Sequence, residues 1–553
     1  MSKNLRGLSE RKELKANLFR EIVKVGNSEP ENRDNLLKKL SEDYLFGISS
    51  VLGTSSFYDF LKIGHAGRKV FICDGSACLT SGKQENLRNV LLRRFSEDEI
   101  GSVTCLGLCH TNNAFLYNHT AYSTDDLNSL DEIIKTGSPN KVTFHTGTNA
   151  ERPALLEGND DLASYHKILK EYSGNFQAAL KEIELSGLRG RGGAGFPFHI
   201  KLKATANAAA KQKYVVCNAD EGDPGAFSDK WLLEERPRLV LFGMMMTGLL
   251  TGADTGVIYI RGEYPGSVKA VNHAVDQFEK DNLSGANISG TSFNFKFHVV
   301  EGAGAYICGE ETSLLNSLEG LRPEVRTRPP FPAVYGLFGK PTLLSNVETF
   351  ANVKYILQEG GAGFSKLGTE MSAGTKLVSL DGAFRKPGIY EIKMGTPLDV
   401  VLNEMGGGTR YPVKAFQIGG PLGGIIPASA VKDLNLDFES FNEAGFLLGH
   451  AGVISIPVDF PMVNYLLHLF EFTSRESCGK CFPCRMGAER GSELLKGAIE
   501  NGERIDNELF NDLLETMQLA SLCALGGGLT LPVMNSLHYF SGELEEYFMM
   551  KNK

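Results

Sequence analysis

Apolar and polar positions along the chain change their spacing several times, and each change predicts a different kind of element. Residues 10–25 show charged and apolar positions at helical spacing, and apolar residues gather again at 44–52 and 57–61, so the first 65 residues read as helices whose role is packing. A short β-branched run at 69–72 ends at Cys73. It is followed by a helix at 84–95, strands at 103–105 and 114–117, and a closing helix at 125–135. That order predicts a small thioredoxin-like α/β unit. Residues 137–160, rich in Gly, Asn, Pro and Thr, read as a linker.

Farther along, strands at 214–216, 255–260 and 295–300 alternate with helices at 232–251 and 267–281, the pattern of an α/β layer. Residues 369–456 switch to short strands between glycine turns (376–380, 388–392, 415–418, 453–456) with one helix at 397–404. From 461 the spacing is helical: 463–473, 487–499, 507–519, 530–540 and 543–548. The longest apolar run, 239–252, lies between Arg238 and Asp254 and is shorter than the ~20 residues a bilayer needs.

A chain of 553 residues, 42% of them hydrophobic, is expected to form about three to five domains. Its net charge of -9 argues against a nucleic-acid partner, and its N-terminus lacks the apolar core of a signal peptide, so a cytoplasmic protein is expected. Ten cysteines in a reducing compartment are unsuited to disulfides, and eight of them fall into two clusters. Cys73 and Cys78 have four residues between them, and Cys105 and Cys109 three. Thiolates on two adjacent strand ends can hold a [2Fe-2S] cluster. A structural zinc would favour C-x2-C pairs, and a redox thioredoxin would need C-x-x-C. Cys478, Cys481 and Cys484 follow C-x2-C-x2-C, with Cys523 distant, which is the spacing of a [4Fe-4S] site. Zinc or plain structural thiols are the alternatives there, while Cys217 and Cys308 read as packing residues.

Among 62 glycines, the densest group lies in SGLRGRGGAGFPFHIK, residues 186–201, where main-chain N–H groups are open to a phosphate or an aromatic ring system. Gly190, Gly192 and Gly195 satisfy G-x-G-x-x-G, but helical spacing precedes them at 176–185, which disfavours an ordinary dinucleotide turn. Taken alone, the stretch has a flexible surface loop as its alternative.

Three further motifs change that: YVVCNADEGDPGAFSDK (214–230), GAGAYICGEETSLLNSLEG (302–320) and RTRPPFPAVYGLFGKPTLLSNVETFANV (326–353). With the glycine stretch, these resemble the flavin- and NADH-binding 51 kDa subunit of respiratory complex I and the diaphorase subunits of NAD-linked hydrogenases and formate dehydrogenases. The resemblance runs from about residue 160 to 553. The N-terminal segment, with LGTSSFYDF, FICDGSACLTSG and TCLGLCHTNNAF, is similar to the small 24 kDa-like iron-sulfur subunit of complex I, here fused.

The resemblance implies an α/β multidomain protein. Its parts would be a helical extension and thioredoxin-like [2Fe-2S] domain (1–136), a linker (137–160), a Rossmann-like FMN and NADH domain (161–368), a β-grasp insert of SLBB type (369–456) and a helical [4Fe-4S] bundle (457–553). It assigns Gly190, Arg191, Gly192, Lys201, Asn218, Asp220, Glu221, Gly309, Glu310, Asn346 and Thr349 to FMN. To NADH it assigns Phe196, Asp223, Tyr306, Glu311, Arg328 and Phe331. No catalytic acid or base is needed, because hydride transfer depends mainly on ring alignment.

The sequence departs from the complex I pattern where Asp223 stands for Glu, Arg328 for Lys, Ser345 for Asn and Ala204 for Phe, and along 198–203. A carboxylate at Glu311 would repel a 2′-phosphate, so NAD is expected over NADP. NADH gives two electrons as hydride and a cluster accepts one, so a flavin must stand between them. The expected function is therefore a diaphorase subunit working beside an iron-sulfur subunit and a formate dehydrogenase or hydrogenase catalytic subunit. The alternatives are a complex I peripheral-arm or electron-bifurcating flavin subunit and, from another class, a non-catalytic iron-sulfur or zinc scaffold.

Overall fold

In the computed structural model, the described residues are 18–26, 28–62, 65, 67–123, 130–137, 144–157 and 161–549. The expected helices at 10–25 and 125–135 lie partly outside them, as do 138–143 and 158–160 of the expected linker.

Three helices open the described chain: α1 (Leu18–Gly26), α2 (Pro30–Asp43) and α3 (Ile48–Phe57). After them, β1 (Val70–Cys73) leads into a short α4 (Ser76–Thr80) and α5 (Gln84–Leu91), followed by β2 (Ile100–Val103), β3 (Ala114–Tyr117), β4 (Thr120–Ser123) and α6 (Leu130–Thr136). These strands form a mixed sheet of order β2-β1-β3-β4, parallel only between β1 and β2. Cys73 closes β1. Cys105, expected to end a strand, instead sits past β2 at φ 55, in a loop.

The stretch read as a linker contributes a strand. β5 (His145–Thr148) runs parallel to Gly388–Glu391, and the main-chain N–H groups of Ala154, Leu155 and Leu156 donate to the buried Glu391 carboxylate. Its sequence, HTGT, carries no apolar alternation to announce a strand, and only the waiting edge of the insert makes it one.

Helices α7 (Leu162–Ser173), α8 (Phe176–Leu185) and α9 (Phe198–Asn207) precede the central sheet. That sheet contains β6 (Tyr214–Ala219), β7 (Thr255–Ile260), β8 (Lys296–Glu301) and β9 (Thr342–Asn346), in the order β8-β7-β6-β9, all parallel. The helix expected at 232–251 is two: α10 (Ser228–Glu235) ends at Arg236, and Pro237 starts α11 (Pro237–Thr251) because it has no N–H to continue the first ladder. α12 (Pro265–Lys280), α13 (Glu311–Leu318) and α14 (Val347–Glu359) complete the layer.

Alternation along the strands sends Val215, Cys217, Ile258 and Leu343 to the core shared with α11 and α14. Val216, Val257, Tyr259 and Leu344 face the other way, onto a core that includes Leu18, Phe19, Ile22 and Val51. The N-terminal helices therefore cover the second face of the central sheet and do not belong to the β1–β4 unit with which the 1–136 boundary grouped them. The apolar run at 239–252 is α11, buried on all sides; no helix of the described residues is long and apolar enough to cross a membrane.

The insert sheet contains β10 (Thr375–Leu380), β11 (Gly388–Lys393), β12 (Val413–Ile418), β13 (Gly424–Pro427) and β14 (Gly452–Pro457), in the order β13-β12-β14-β10-β11-β5. Where a helix was expected at 397–404, a wide turn of helix spans Val400–Met405. The C-terminal helices are α15 (Met462–Glu476), α16 (Phe482–Asn501), α17 (Asn507–Ala520) and α18 (Thr530–Tyr539). α16 begins five residues earlier than its spacing predicts, with Pro483 in its first turn and Cys484 inside it.

Candidate functional site

The central strand order reverses between β6 and β9, and ligands of open α/β sheets bind beyond the carboxyl ends of the strands at such a reversal. Asn346 ends β9, Asn218 stands one residue before the end of β6, and the two are register partners. The glycine stretch lies across this point. It joins α8 to α9 and is pinched at its base, where Gly190 N donates to Phe196 O at 2.8 Å. A Cβ on Gly192 would come within 2.9 Å of Asn346 Cβ, so the loop rests on the end of β9 only because that side chain is missing.

Arg191 is wholly buried. Its N donates to Thr349 Oγ1 at 2.9 Å and Nη2 to Ala373 O at 2.6 Å, while Nε and Nη1 have no hydrogen-bond partner among the described residues. Burial lowers its pKa to about 10, still far above neutrality, so a cation with two uncommitted N–H groups faces inward. A buried guanidinium in this state fits an anion. Nearby, Asp220 Oδ2 and Glu310 Oε1 are also buried without hydrogen-bond partners, and burial drives the Asp220 pKa well up against the pull of Arg261. An open loop, an uncommitted cation and acceptors for N–H groups together suit a phosphorylated ring cofactor such as FMN.

The other residues expected here divide by what they already hold. Asn218 Nδ2 donates to Gly309 O at 2.8 Å, tying the end of β6 to the turn before α13. Glu310 and Asn346 cap α13 and α14, Glu310 through the N–H groups of Thr312 and Ser313. Both Glu221 oxygens accept from the first turn of α10, at Asp229 N (2.8 Å) and Lys230 N (3.0 Å). Burial raises the Glu221 pKa to about 7.

Toward the open side, Tyr306 OH donates to Asp223 at 2.7 Å. Glu311 bridges Lys201 (3.1 Å) and Arg328 (2.8 Å). Burial acts to raise the Glu311 pKa, and the two cations outweigh it, leaving it below the usual value. Phe196 and Phe331 are 46% and 56% exposed, apolar faces open to solvent beside these charges. Residues that the sequence reading missed include Asp229 and His450, which meet at 3.1 Å. Their separation of over two hundred positions left no local signal.

Two cysteine groups flank this site. Cys73, Cys78, Cys105 and Cys109 are all buried, with Cys105 and Cys109 sulfurs 3.5 Å apart. Gly225 N of the 214–230 motif donates to Cys109 Sγ at 3.3 Å, and Arg261 Nη2 donates to Thr104 O, so the N-terminal group is built against the central layer. Cys478, Cys481, Cys484 and Cys523 share one cluster at the end of α15. A Cβ at Gly526 would stand 2.6 Å from Cys484 Cβ, so glycine lets the Cys523 loop close on the others. Among the described residues, no three of these sulfurs lie within 4.8 Å of one another.

Residues 183–355 match the family model of the Nuo51 FMN-binding domain, and residues 464–547 match that of the NADH-ubiquinone oxidoreductase-F iron-sulfur binding region. The fold and site thus define a flavin- and iron-sulfur-dependent oxidoreductase subunit. The second F-type subunit of NADH-quinone oxidoreductase in Rhizobium meliloti is 40% identical over 394 residues, 70% of this chain and 93% of its own length. The NADP-reducing hydrogenase subunit HndC of Solidesulfovibrio fructosivorans is 41% identical over 398 residues, 71% of this chain and 81% of its own. A chain of a NAD+-reducing [NiFe]-hydrogenase in the air-oxidized state superposes with a TM-score of 0.83 at 26% identity, covering 98% of this chain and 95% of that one. The chain belongs to the family of the F-type subunits of NADH-quinone oxidoreductase.

Proposed function

We propose that this chain is the diaphorase subunit of an NAD-reducing hydrogenase or NAD-dependent formate dehydrogenase, exchanging hydride between NAD(H) and FMN and passing single electrons through a [4Fe-4S] and a [2Fe-2S] cluster to or from a partner subunit. The finer architecture belongs to the same reading: a thioredoxin-like unit, a Rossmann-like layer, a β-grasp insert and a helical bundle. The observation that carries it is Arg191, a buried cation with two uncommitted N–H groups under a glycine loop at the strand-order reversal.

FMN supplies the conversion between a hydride and two single electrons. Arg191 and the open main chain of Gly190 and Gly192 would hold its phosphate or polarise its ring, and Asp220 would accept from ring or ribityl donors. Asn218, Gly309, Glu310, Asn346 and Thr349 fix the walls, and Glu221 supports them from behind through α10. Phe196 and Phe331 offer stacking faces to a dinucleotide, Glu311 an acceptor for ribose hydroxyls, and Tyr306 with Asp223 a polar edge for the nicotinamide. Cys73, Cys78, Cys105 and Cys109 would ligate the [2Fe-2S] cluster, and Cys478, Cys481, Cys484 and Cys523 the [4Fe-4S].

The hydrogenase-type assembly is favoured over a complex I arm because the hydrogenase chain covers 98% of this one, its N-terminal segment included, whereas the Rhizobium protein covers 70%. The test is the full chain prepared anaerobically. It is expected to carry FMN, iron and acid-labile sulfide and to reduce an artificial acceptor with NADH faster than with NADPH. Arg191→Gln is expected to lose flavin while keeping iron; full flavin content in that variant would remove Arg191 from the reading.

A further inference from the structure

Where α10 meets the insert, three buried ionisable side chains form one cluster, and one of them comes from the insert. His450 Nε2 lies 3.1 Å from Asp229 Oδ2 and 3.8 Å from Glu221 Oε1, and all three side chains are at most 5% exposed. The same Asp229 oxygen accepts from Asn346 Nδ2 at 2.5 Å, and Asn346 is the residue on which Gly192 rests. A chain of contacts thus runs from the insert through a carboxylate and a carboxamide to the glycine loop.

Two carboxylates this close in a dry site cannot both stay ionised without a countercharge. Lys376, which also faces the cluster, is committed to Glu348 in a fully buried ion pair. Tyr264 donates its hydroxyl to Glu221 Oε2 at 3.3 Å and adds no charge, and Asp223 is engaged by Tyr306. The countercharge is left to His450. Glu221 already accepts main-chain N–H groups and Asn346 occupies the Asp229 oxygen that faces the ring, while Asp229 Oδ1 and His450 Nδ1 are buried without a hydrogen-bond partner among the described residues.

We propose that His450 is a positioning residue for the flavin site: its imidazolium is the countercharge to the Asp229 and Glu221 pair, which anchors Asn346 beneath the glycine loop and sets the charge of the cluster beside it. This rests on the FMN reading above. Burial by itself lowers the His450 pKa, and Asp229 with its hydrogen bond outweighs burial and raises it to about 9, so the ring stays charged at neutral pH. Hydride arriving at a bound flavin adds negative charge to the same dry region, where a neighbouring charge weighs more than it would in water.

The experiment compares the full wild-type chain with His450→Gln and Asp229→Asn, all prepared anaerobically, with FMN and iron content measured and the flavin midpoint followed by absorbance from pH 6 to 9. Glutamine keeps a donor toward Asp229 but not the charge. A carboxyl of the pair then takes the missing proton and gives it up as pH rises, so the Gln midpoint is expected to fall increasingly below wild type. The gap should be widest near about pH 8, before the wild-type imidazolium itself loses its proton at about 9, and there the variant should need an NADH/NAD+ ratio roughly threefold or more higher for half reduction. Asp229→Asn should move the ratio in the opposite direction, and it decides the charge role if the Gln variant retains iron but releases flavin. A Gln variant that matches wild type across the range, or two variants that shift the same way, would overturn the proposal. Wild-type protein with iron but no flavin would instead overturn the FMN reading itself.

Discussion

His450 holds its proton more tightly in the folded chain than it would in an unfolded one, about 9 against 6.5, and that difference is itself stability. The folded value is the higher one, so the contribution is complete below pH 6.5 and is lost as pH rises through about 9. It amounts to something on the order of 3 kcal/mol, given the full burial of the pair. Denaturant midpoints measured from pH 6 to 9.5 should therefore fall toward the alkaline end, and His450→Gln should flatten that part of the curve. A variant with the same alkaline slope as wild type would show that another group carries it. At this scale Arg191 and the eight ligand-spaced cysteines were legible, because each announces itself by type and spacing within a few residues. Asp229 and His450 were not: a carboxylate on a helix and a histidine in a glycine turn acquire meaning only from one another.

Among the elements, α11 and α14 make the tightest crossing in the central layer. At Gly243 a Cβ would fall 1.9 Å from the carbonyl oxygen of Phe350, and main chain cannot swing aside as a side chain can. Gly243→Ala should cost on the order of 2 kcal/mol or more by prying the helices apart. Gly542→Ala, on the short C-terminal helix Ser541–Leu544 with no atom within 4 Å of a new Cβ, should change the melting temperature little. Thermal denaturation of the two variants side by side checks the difference. Helix types and approximate positions followed from spacing, whereas the crossing did not, since nothing in α11 itself says which carbonyl will face Gly243. The strand at 145–148 shows the same limit, because its partner lies more than two hundred residues downstream.

For the molecule as a whole, Arg261 ties together segments that the sequence places in separate units. It pairs with Glu263, both side chains 4% exposed, and donates to Glu221 O on the central layer and to Thr104 O beside the N-terminal cysteines. Arg475 of α15 reaches Asp74 at 2.6 Å, and His468 meets Ser76 at 3.1 Å, so the same N-terminal loops are also fastened to the C-terminal helices. Arg261→Gln should destabilise the protein by about 3–5 kcal/mol, since Glu263 is left buried without its partner, and adding Glu263→Gln should recover part of the loss. Denaturant unfolding of the single and double variants tests this. If the single variant unfolds at the wild-type midpoint, the pair does not hold these segments together.

The sequence by itself determined the kinds of element, the two sets of ligand-spaced cysteines and the glycine loop, because spacing, turn chemistry and residue type act over a few positions. Only the tertiary structure decided that the N-terminal helices cover the central sheet, that a polar stretch becomes an edge strand, and that a histidine from the insert meets a buried acid pair. Each of these depends on a hydrogen bond, an apolar contact or a countercharge supplied from far along the chain, and folding is what brings the two ends of each interaction together.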